Sequence, residues 1–464
     1  MIDCSAMAGK TVAVMGLGKS GLPTARALAA SGAKVQAWDD DAKKRNEAAA
    51  AGIAIGALDG FDWAKADALV LSPGIPHSFP KPHPVAAAAK AAGVQIIGDV
   101  DLLGRAQRQA AFVGITGTNG KSTTTALVGH VLRRAGRKAE VGGNIGTAAL
   151  SLAPLGRDGI YVLEMSSYQL ELTFSIAFDV AVLLNVTPDH LDRHGGMDGY
   201  IQAKRRIFAG QGAAQTAVIG VDDDHCRRIH DDLKTKGGRT VLPISSEIVV
   251  KGGVYAPDGV LIDDTEGAAR QALDLRDVAT LPGRHNWQNA AAAYATARAV
   301  GVAPTAIAEG IRSYPGLAHR QELVGTIRGI RFVNDSKATN ADAAAKALAS
   351  YGTIYWIAGG KPKDGPLDLL HPFFKNVRRG FLIGEASPRF ARELKGLIAL
   401  EECGDLQTAL EHAYAAALKD RAKDAVVLLS PACASFDQFT DFEARGDTFR
   451  RLVASMTTRE RAVQ

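Results

Sequence analysis

The sequence predicts an α/β protein built from three doubly wound domains, and three observations support this prediction. A chain of 464 residues is too long for one ordinary domain. Short apolar segments of strand length alternate with helix-length segments along the chain. In two places an apolar segment leads into a glycine-rich turn and then into a helical stretch. We expect the domains at residues 1–109, 110–316 and 317–464.

Composition excludes several classes of protein. Hydrophobic residues make up 47% and charged residues 22% of the chain, which argues against disorder. The net charge of +5 comes without a long block of lysine and arginine, so it fits an anionic small substrate and does not indicate nucleic acid. The four cysteines lie far apart without a C-x-x-C pair, which argues against a disulfide framework or a structural zinc site.

The amino terminus carries no sign of export. Residues 1–10 include Asp3 and lack a basic start followed by an apolar stretch, which a secretory signal would have. No apolar run approaches the roughly 18 residues of a membrane span. We therefore expect a cytoplasmic protein without membrane insertion.

The first domain opens with a Rossmann-like pattern. The apolar segment Thr11–Met15 is followed by a glycine turn with G-x-G-x-x-G spacing at residues 16–21, a helical stretch, and a second strand, Lys34–Trp38, that ends in Asp39. In a dinucleotide enzyme Asp39 would meet a ribose, so an NAD-dependent oxidoreductase is the main rival function. A tight turn without a ligand is another reading, because this spacing alone is a weak signal.

The second domain opens with a variant phosphate-binding loop. The apolar segment Ala111–Thr116 runs into GTNGKS at residues 117–122 and then into a helical stretch. Such a loop aims backbone N–H groups at phosphates, with Lys121 reaching the terminal phosphates and Ser122 available to Mg²⁺. The strict P-loop pattern has glycine where this chain has Ile115. A glycine turn that merely contains a lysine is the alternative.

Further apolar segments continue the α/β pattern through the rest of the chain. The first domain continues with residues 68–71 and 94–97, and the second with residues 161–163, 180–184 and 217–221. The third domain has strand-like segments at residues 331–333, 354–358, 380–384 and 425–430, and a helical segment at residues 341–350.

Several polar residues follow these segments, where parallel sheets bind their ligands. Glu164 and His190 each follow a strand of the second domain, and a carboxylate, a histidine and water can complete the coordination of Mg²⁺. Lys204 lies in a basic stretch that on sequence alone reads as a solvated helix face. Lys337 follows the first strand of the third domain, where it either faces an interdomain cleft and binds an anion or belongs to a surface loop.

Together these residues resemble the Mur ligase family over almost the whole chain. The segment GTNGKST at residues 117–123 is common to the superfamily, including the folylpolyglutamate synthases. Five further segments are similar to the members that add D-glutamate, namely SPGIP at 72–76, GGNIG at 142–146, EMSSYQLE at 164–171, NDSKATN at 334–340 and SPACASFDQF at 430–439. The resemblance implies a Rossmann-like UDP-binding domain, a central P-loop-like ATPase domain and a Rossmann-like carboxy-terminal domain that binds the amino acid.

The resemblance also implies an activity. The chain would be an ATP-dependent acid–D-amino-acid ligase that joins UDP-N-acetylmuramoyl-L-alanine to D-glutamate through an acyl phosphate. This reaction belongs to peptidoglycan synthesis, and hence to cell-wall biogenesis and cell division. ATP and Mg²⁺ would be needed, closure of the third domain would exclude water, and we expect a monomer.

Residue roles carried over from the family follow the matching segments. The catalytic residues would be Lys121, His190 and Lys204, the last matching a lysine that is carbamylated in this family. The metal would be held by Ser122, Glu164, His190 and Lys204. The residues that contact ATP would be Gly117, Thr118, Asn119, Gly120, Lys121, Ser122, Thr123, Asn286, Asn289, Arg320 and Asp335.

The substrate-binding residues fall into two groups. For the UDP-linked substrate the resemblance implies Gly18, Lys19, Ser20, Asp39, Ser72, Gly74 and Asn144. For D-glutamate, whose two carboxylates need several polar partners, it implies Lys337, Thr339, Lys363, Ser435 and Phe442.

Two departures from the family pattern bear on these assignments. Lys361 and Pro362 stand where Asp-Gly is common, and we choose Lys363 over Lys361 as the glutamate ligand. Residues 39–41 are three aspartates where Asp-Thr-Arg is expected, and their charge should repel phosphate. Either Lys19 and the backbone of the glycine turn compensate, or the uridine end binds differently.

Three rival functions remain on the sequence alone. A sister ligase would add another amino acid, such as L-alanine or a diamino acid. The NAD-dependent oxidoreductase would leave the second glycine loop and the third domain without a role. A regulatory nucleotide-binding protein without chemistry is disfavoured by the combination of metal-binding residues and lysines.

Overall fold

The computed structural model describes residues 1–362 and 367–463. The chain forms two compact units. The first unit comprises Met1–Leu275 and Asn286–Tyr314, and the second comprises Arg276–His285 and Pro315–Gln464. The described strands form three sheets, two in the first unit and one in the second, with helices between the strands. The predicted α/β class is confirmed.

The first sheet is fully parallel, with strand order β2-β1-β3-β4. Its strands are β1 Thr11–Met15, β2 Lys34–Trp38, β3 Ala68–Leu71 and β4 Ile96–Ile97, and its helices are α1 Gly21–Ala30, α2 Ala42–Ala50, α3 Pro84–Ala91 and α4 Asp99–Ala106. After β2 the chain returns past β1 to form β3 on the other side. The adjacent carboxyl ends of β1 and β3 therefore form a topological switch point, where such sheets bind ligands.

The second sheet has strand order β13-β12-β11-β10-β9-β8-β5-β7-β6. Its strands are β5 Ala111–Thr116, β6 Lys138–Gly143, β7 Gly159–Glu164, β8 Val180–Leu183, β9 Thr216–Gly220, β10 Thr240–Ser245, β11 Val254–Tyr255, β12 Val260–Asp263 and β13 Arg270–Asp274. The strands from β5 to β11 pair in parallel, whereas β12 and β13 add antiparallel strands at one edge. β5 lies between β7 and β8, so the loop after β5 is flanked by the ends of two neighbours.

Helices of the same region follow the strands. They are α5 Lys121–Arg134, α6 Ser167–Glu171, α7 Leu191–His194, α8 Met197–Arg205, α9 Asp224–Lys236, α10 Arg284–Ala299 and α11 Pro304–Arg312. α6 begins three residues after β7 ends, because Ser166 and Gln169 form a capping box in which each side chain accepts a hydrogen bond from the other residue's backbone N–H. This cap fixes the path of the chain directly after Glu164.

The third sheet has strand order β14-β15-β19-β16-β17-β18, with β14 antiparallel at one edge. Its strands are β14 Glu322–Ile327, β15 Ile330–Asn334, β16 Ile354–Gly359, β17 Val377–Ile383, β18 Leu400–Gly404 and β19 Val426–Leu429, and its helices are α12 Ala341–Ala349, α13 Ser387–Glu393, α14 Leu406–Asp420 and α15 Phe442–Val463. The loops after β15, β19 and β16 leave the sheet side by side at its carboxyl edge.

Alternation along β16 shows that the third sheet is covered on both faces. Trp356 packs in the cluster that contains α12 residues, whereas Tyr355 and Ile357 pack in the cluster that contains α14 residues. Successive side chains of a strand point to opposite faces, so both faces of the sheet are buried under helices. The described chain also contains short 3₁₀ helices, at Ser5–Met7, Trp63–Lys65, Ala149–Ser151, Arg206–Phe208, Leu275–Asp277 and Asp368–Asn376.

The structure differs from the sequence prediction mainly at sheet edges. The bounds of β1, β2, β3 and β5 agree with the apolar segments, whereas the segment at residues 94–97 contributes only the two residues of β4. The sequence prediction did not include β6, β10 to β14 or β18. Among the helices of residues 1–362 and 367–463, none combines the length and the hydropathy required to cross a membrane.

Leu428, in the middle of the third sheet, tests how much this core contributes to stability. Its side chain is fully buried on β19. We expect Leu428→Ala to lower the free energy of unfolding by about 2–5 kcal/mol, because it removes buried methyl groups and leaves a cavity. Leu397→Ala is the control, since Leu397 is 49% exposed in the same unit. Urea unfolding followed by circular dichroism measures both, and equal midpoints for the two variants would contradict this account of the core.

Candidate active site

The glycine loop after β5 wraps around the side chain of Lys121. Gly117 and Gly120 have φ of +156° and +85°, and α5 begins immediately after Gly120. The Lys121 ammonium donates hydrogen bonds to the carbonyl oxygens of Gly117, at 2.9 Å, and Thr118, at 2.7 Å. Ser122 is buried in the first turn of α5, and Thr123 follows it. A loop that ends at the amino terminus of a 14-residue helix with a lysine folded over it is suited to phosphate groups.

Residues after β8 hold this loop in place. Asn119 N–H donates to Asn185 Oδ1 at 2.8 Å, and Asn185 Nδ2 donates back to the Asn119 carbonyl at 3.1 Å. The Thr118 hydroxyl donates to the Thr187 carbonyl at 3.0 Å. Because β8 is adjacent to β5, the ends of two neighbouring strands fix the loop in one conformation.

Two asparagines of α10 lie against the loop and α5. Asn289 Nδ2 donates to Asn286 Oδ1 at 3.1 Å, and the Thr124 hydroxyl of α5 donates to Asn289 Oδ1 at 3.2 Å. A Cβ atom at Gly120 would lie only 2.3 Å from Asn289 Oδ1. Glycine is therefore required at this position both by backbone conformation and by space.

Lys204 lies beside the loop and is 2% exposed. Its amine donates to the same Gly117 carbonyl, at 2.8 Å, and its Nζ lies 4.6 Å from the centre of the Tyr200 ring. Burial, followed by the charge of Lys121, lowers the pKa of Lys204 well below its usual value. The sequence reading of a solvated helix face at Lys204 is therefore wrong.

Glu164, at the end of β7, presents a carboxylate oxygen with no protein partner. Asn144 Nδ2 donates to Glu164 Oε1 at 2.6 Å, while Oε2 is buried without a hydrogen-bond partner among the described residues. A buried carboxylate oxygen left in this way is costly unless a cation compensates it. Oxygen ligands from Glu164 and Ser122 suit Mg²⁺, so this part of the site fits a magnesium ion.

His190 lies at a more open position. It has φ of +51°, its side chain is 53% exposed, and its Nε2 lies 3.5 Å from Asp189 Oδ2. Its ring centre is 5.2 Å from that of Tyr168. A left-handed backbone conformation is uncommon for a residue other than glycine, and it occurs often at functional sites.

A cavity of about 510 Å³ lies at the switch point of the first sheet. It brings together all seven residues that the resemblance implied for the UDP-linked substrate, namely Gly18, Lys19, Ser20, Asp39, Ser72, Gly74 and Asn144. Lys44 and Tyr168 also line it, and the sequence analysis missed both. The position of Lys44 in the first turn of α2 is the only signal that would have indicated it.

The three aspartates of residues 39–41 have separate roles. Asp39 accepts hydrogen bonds from Leu17 N–H at 2.7 Å and Asp41 N–H at 2.9 Å, and it lies 3.7 Å from Lys44 Nζ. Asp41 caps α2 by accepting from Lys43 N–H. Asp40 lines the cavity, where Lys19 and Lys44 supply opposite charge.

In the second unit, Arg445 joins two of the loops at the carboxyl edge of the sheet. It is fully buried and donates to the Ser336 carbonyl at 2.9 Å, to the Ser336 hydroxyl at 2.9 Å and to the Cys433 carbonyl at 3.1 Å. Burial lowers the pKa of Arg445 to about 10. Arg445 connects the loops after β15 and β19, and it was not among the residues predicted from the sequence.

The predicted residues of the second unit lie on these loops. Asp335 is buried and accepts from the Ser430 hydroxyl at 2.9 Å, and burial raises the pKa of its carboxyl group to about 7. Lys337 Nζ lies 3.8 Å from the centre of the Phe442 ring. Thr339 N–H donates to the Lys337 carbonyl at 2.8 Å, so the loop is tightly turned.

Three further residues predicted from the sequence belong to the second half of the chain, namely Ser435, Arg320 and Lys363. Ser435 is buried in the loop after β19, and its carbonyl accepts from Phe439 N–H at 2.8 Å. Arg320 precedes β14, and its N–H donates to the Leu317 carbonyl at 3.3 Å. Lys363 lies outside the described residues. Lys361, the alternative, is exposed and pairs through its backbone with Ala434.

Comparisons with known proteins identify the family. The chain matches the Mur ligase middle domain over residues 115–297 and the Mur ligase MurD-like, N-terminal domain over residues 10–98. It is 55% identical to the UDP-N-acetylmuramoylalanine–D-glutamate ligase of Rhodospirillum rubrum, covering 97% of this chain and 95% of the relative. The chain belongs to the Mur ligase family. Ligases of the same name from Paramagnetospirillum magneticum and Caulobacter sp. strain K31 are 54% and 52% identical to this Mur ligase, each covering 98% of both chains.

Solved structures of other Mur ligases share the fold. The UDP-N-acetylmuramate–alanine ligase of Thermotoga maritima superposes with a TM-score of 0.56 at 16% identity, covering 96% of this chain and 99% of that one. A UDP-N-acetylmuramoyl-L-alanyl-D-glutamate–2,6-diaminopimelate ligase gives a TM-score of 0.56 at 17% identity, covering 98% and 94%. The α/β architecture with three sheets is therefore that of the family.

Gly120 provides a direct test of the loop geometry. We expect Gly120→Ala to weaken ATP binding by about tenfold or more, a loss of about 1.4 kcal/mol, because the new Cβ would displace Asn289. Gly136→Ala is a matched control, since Gly136 follows the same helix with φ of +76° and has open space around its Cβ position. Calorimetric titration of both variants separates the clash from backbone strain, and equal ATP affinities would refute the role of Gly120.

Proposed function

We propose that this Mur ligase joins D-glutamate to UDP-N-acetylmuramoyl-L-alanine in an ATP-dependent step of peptidoglycan biosynthesis. Relatives carrying that name are 52–55% identical over nearly the full chain. The observation that carries the proposal is the convergence of Lys121 and Lys204 on the Gly117 carbonyl. It occurs in the unit that also contains the unsatisfied Glu164 carboxylate and the cavity of about 510 Å³.

ATP is held by the glycine loop with its phosphates at the amino terminus of α5. The backbone N–H groups of residues 117–123 and the Lys121 ammonium supply positive charge to the phosphate oxygens. Asn286 and Asn289 lie against the loop and α5. The family resemblance assigns nucleotide contacts to Arg320 and Asp335 as well. Ser122, Glu164, His190 and Lys204, the last as a carbamate, would hold Mg²⁺, which would supply positive charge to the phosphates.

The first chemical step activates the carboxylate of the UDP-linked substrate. That carboxylate attacks the γ-phosphorus of ATP, the bond from this phosphorus to the β,γ-bridging oxygen breaks, and ADP leaves with the bonding electrons. Lys121 stabilises the charge that spreads over the transferred phosphoryl group. Asn144 and His190 orient the reacting carboxylate. The product is an acyl phosphate, a far better electrophile than the carboxylate.

The second step forms the amide. The neutral amine of D-glutamate attacks the acyl carbon, and a tetrahedral intermediate then expels inorganic phosphate while the nitrogen loses its proton. D-Glutamate is held by Lys337, Thr339, Ser435 and Phe442, with Lys363 completing the set as a further cation. Arg445 is a positioning residue, because it fixes the loops that carry these groups.

Lys204 acts as a carbamate. A neutral lysine amine adds to CO₂ and loses a proton, which turns a cationic side chain into an anionic oxygen ligand. The buried position of Lys204 and its lowered pKa favour the neutral amine that this addition requires. As a carbamate, Lys204 would provide an oxygen ligand for Mg²⁺.

The UDP portion of the substrate binds in the cavity of the first sheet. Its diphosphate interacts with Lys19, Lys44 and the glycine turn before α1, and Ser72 and Gly74 line the opposite side. Asp39 and Asp41 are already hydrogen-bonded to backbone N–H groups. The two lysines therefore offset the charge of residues 39–41.

We further propose a monomer in the cytoplasm. Nucleotide-linked substrates and ATP are made and kept there. All four cysteines lie among the described residues and none of them forms a disulfide, which is consistent with a reducing compartment.

Phosphate release tests the proposed function directly. Purified protein is given ATP, Mg²⁺ and UDP-N-acetylmuramoyl-L-alanine with D-glutamate, L-glutamate, L-alanine, glycine or meso-diaminopimelate in turn. We expect release that depends on both D-glutamate and the UDP-linked substrate. Dependence on another amino acid would contradict the assigned substrate while keeping the ligase chemistry, and no release with any amino acid would overturn the proposal.

The carbamate role of Lys204 predicts chemical rescue. Lys204→Ala should lose almost all ligase activity, and acetate should restore part of it by supplying a carboxylate in the space left by the side chain. Lys121→Ala is the control, because a carboxylate cannot replace an ammonium and acetate should not rescue it. The measurement is phosphate release against acetate concentration, and failure of rescue at every concentration would count against the carbamate.

A further inference from the structure

A cluster of three metal-ligating side chains lies in the second unit, on β18 and α14. Glu401 and Cys403 belong to β18, the edge strand of the third sheet, and His412 belongs to α14. One donor atom from each lies within 4.8 Å of the other two. His412 Nδ1 and Glu401 Oε1 are 2.5 Å apart. None of these residues was assigned a role in the ligase reaction.

The local structure of β18 directs the cysteine toward α14. Pairing of β18 with β17 proceeds from Leu382–Glu402 to Ile383–Gly404 and so skips Cys403, which is the extra residue of a bulge. A bulge re-aims the side chain it carries. The Cys403 side chain packs at the edge of the cluster that includes α14 residues, on the same side as His412.

The donor set has the chemistry of a zinc site. Thiolate sulfur, imidazole nitrogen and carboxylate oxygen are the three ligand types that Zn²⁺ takes in proteins, usually in tetrahedral arrangement. Zn–S and Zn–N bonds of about 2.3 and 2.0 Å place tetrahedral ligands about 3.5 Å apart, within reach of the observed cluster. Three protein ligands leave a fourth position for water.

The surrounding charges favour a cation. Glu401 and Asp405 place negative charge beside the Cys403 thiol. The positive charge of Arg379 partly offsets these negative charges, because its guanidinium lies 3.8 Å from the Glu401 carboxylate. Asp405 is occupied as the cap of α14, where it accepts from Thr408 N–H.

We propose that Glu401, Cys403 and His412 form a binding site for one Zn²⁺ ion, which ties the edge strand β18 to α14. Binding replaces the Cys403 proton and breaks the hydrogen bond between His412 and Glu401, and both side chains become ligands. The released proton goes to solvent. Glu401 and Cys403 lie two positions apart on β18, and His412 follows nine positions after Cys403 on α14. This spacing contains no C-x-x-C pair, so the sequence pattern did not indicate a metal site.

The test uses full-length protein stripped of metal with a chelator and then titrated with Zn²⁺ or Co²⁺. We expect one equivalent of metal and, with Co²⁺, a thiolate-to-cobalt charge-transfer band together with the visible bands of tetrahedral coordination. Cys403→Ser and His412→Ala should each weaken Zn²⁺ binding at least tenfold, and Cys403→Ser should abolish the charge-transfer band. Glu402→Gln is the control, because it removes a carboxylate charge from the exposed residue between Glu401 and Cys403, and it should bind Zn²⁺ like the unchanged protein.

Two results would overturn the proposal. One is a Co²⁺ complex without the thiolate band, and the other is equal Zn²⁺ affinity in the unchanged protein and Cys403→Ser. Circular dichroism establishes that each variant is folded. Thermal unfolding gives an independent readout, in which Zn²⁺ should raise the Tm of the unchanged protein and of Glu402→Gln but not that of Cys403→Ser. Metal binding is measured without ATP or substrate, so its failure is distinct from failure of the ligase assignment.

Discussion

The carbonyl oxygen of Gly117 is the point on which the rest of the candidate active site depends. It accepts hydrogen bonds from the amines of Lys121 and Lys204, two residues far apart in the chain. Two charged amines on one buried acceptor would repel each other. Burial of Lys204 and the charge of Lys121 both favour a neutral Lys204. The lowered pKa of Lys204 shifts its amine toward the uncharged form beside the Lys121 ammonium.

Local sequence patterns were sufficient to predict the elements that position this site. β1, β3 and β5 are buried parallel strands, so they read as continuous apolar runs that end at a glycine turn or a polar loop. The cavity residues around Gly18 and Ser72 follow from the same logic, because ligands bind beyond the carboxyl ends of such strands. Strand, glycine turn and helix lie within about 30 residues of each other in such units, so a single sequence window contains the whole signal.

The parts that the sequence did not predict depend on contacts between distant residues. Arg445 reaches Ser336 across 109 positions, and Thr124 reaches Asn289 across 165 positions. Such pairs leave no periodic pattern in one sequence. The edge strands β13, β14 and β18 are partly exposed, so they lack the continuous apolar run of the buried strands. Lys204 was read as solvated because a basic helix segment gives no indication of which side chain is buried.

The aspartates at residues 39–41 show how hydrogen bonds within the protein reduce the repulsion between a carboxylate and an anionic ligand. In the sequence they oppose a phosphate ligand. In the structure Asp39 accepts two backbone hydrogen bonds and lies beside Lys44, while Asp41 caps α2. A carboxylate stabilised in this way has its charge partly compensated within the protein, so it repels a nearby anion less than a free one. Among the residues that line the cavity, Lys19 and Lys44 balance the charges of Asp39 and Asp40, so the aspartates do not leave a net negative lining for a diphosphate.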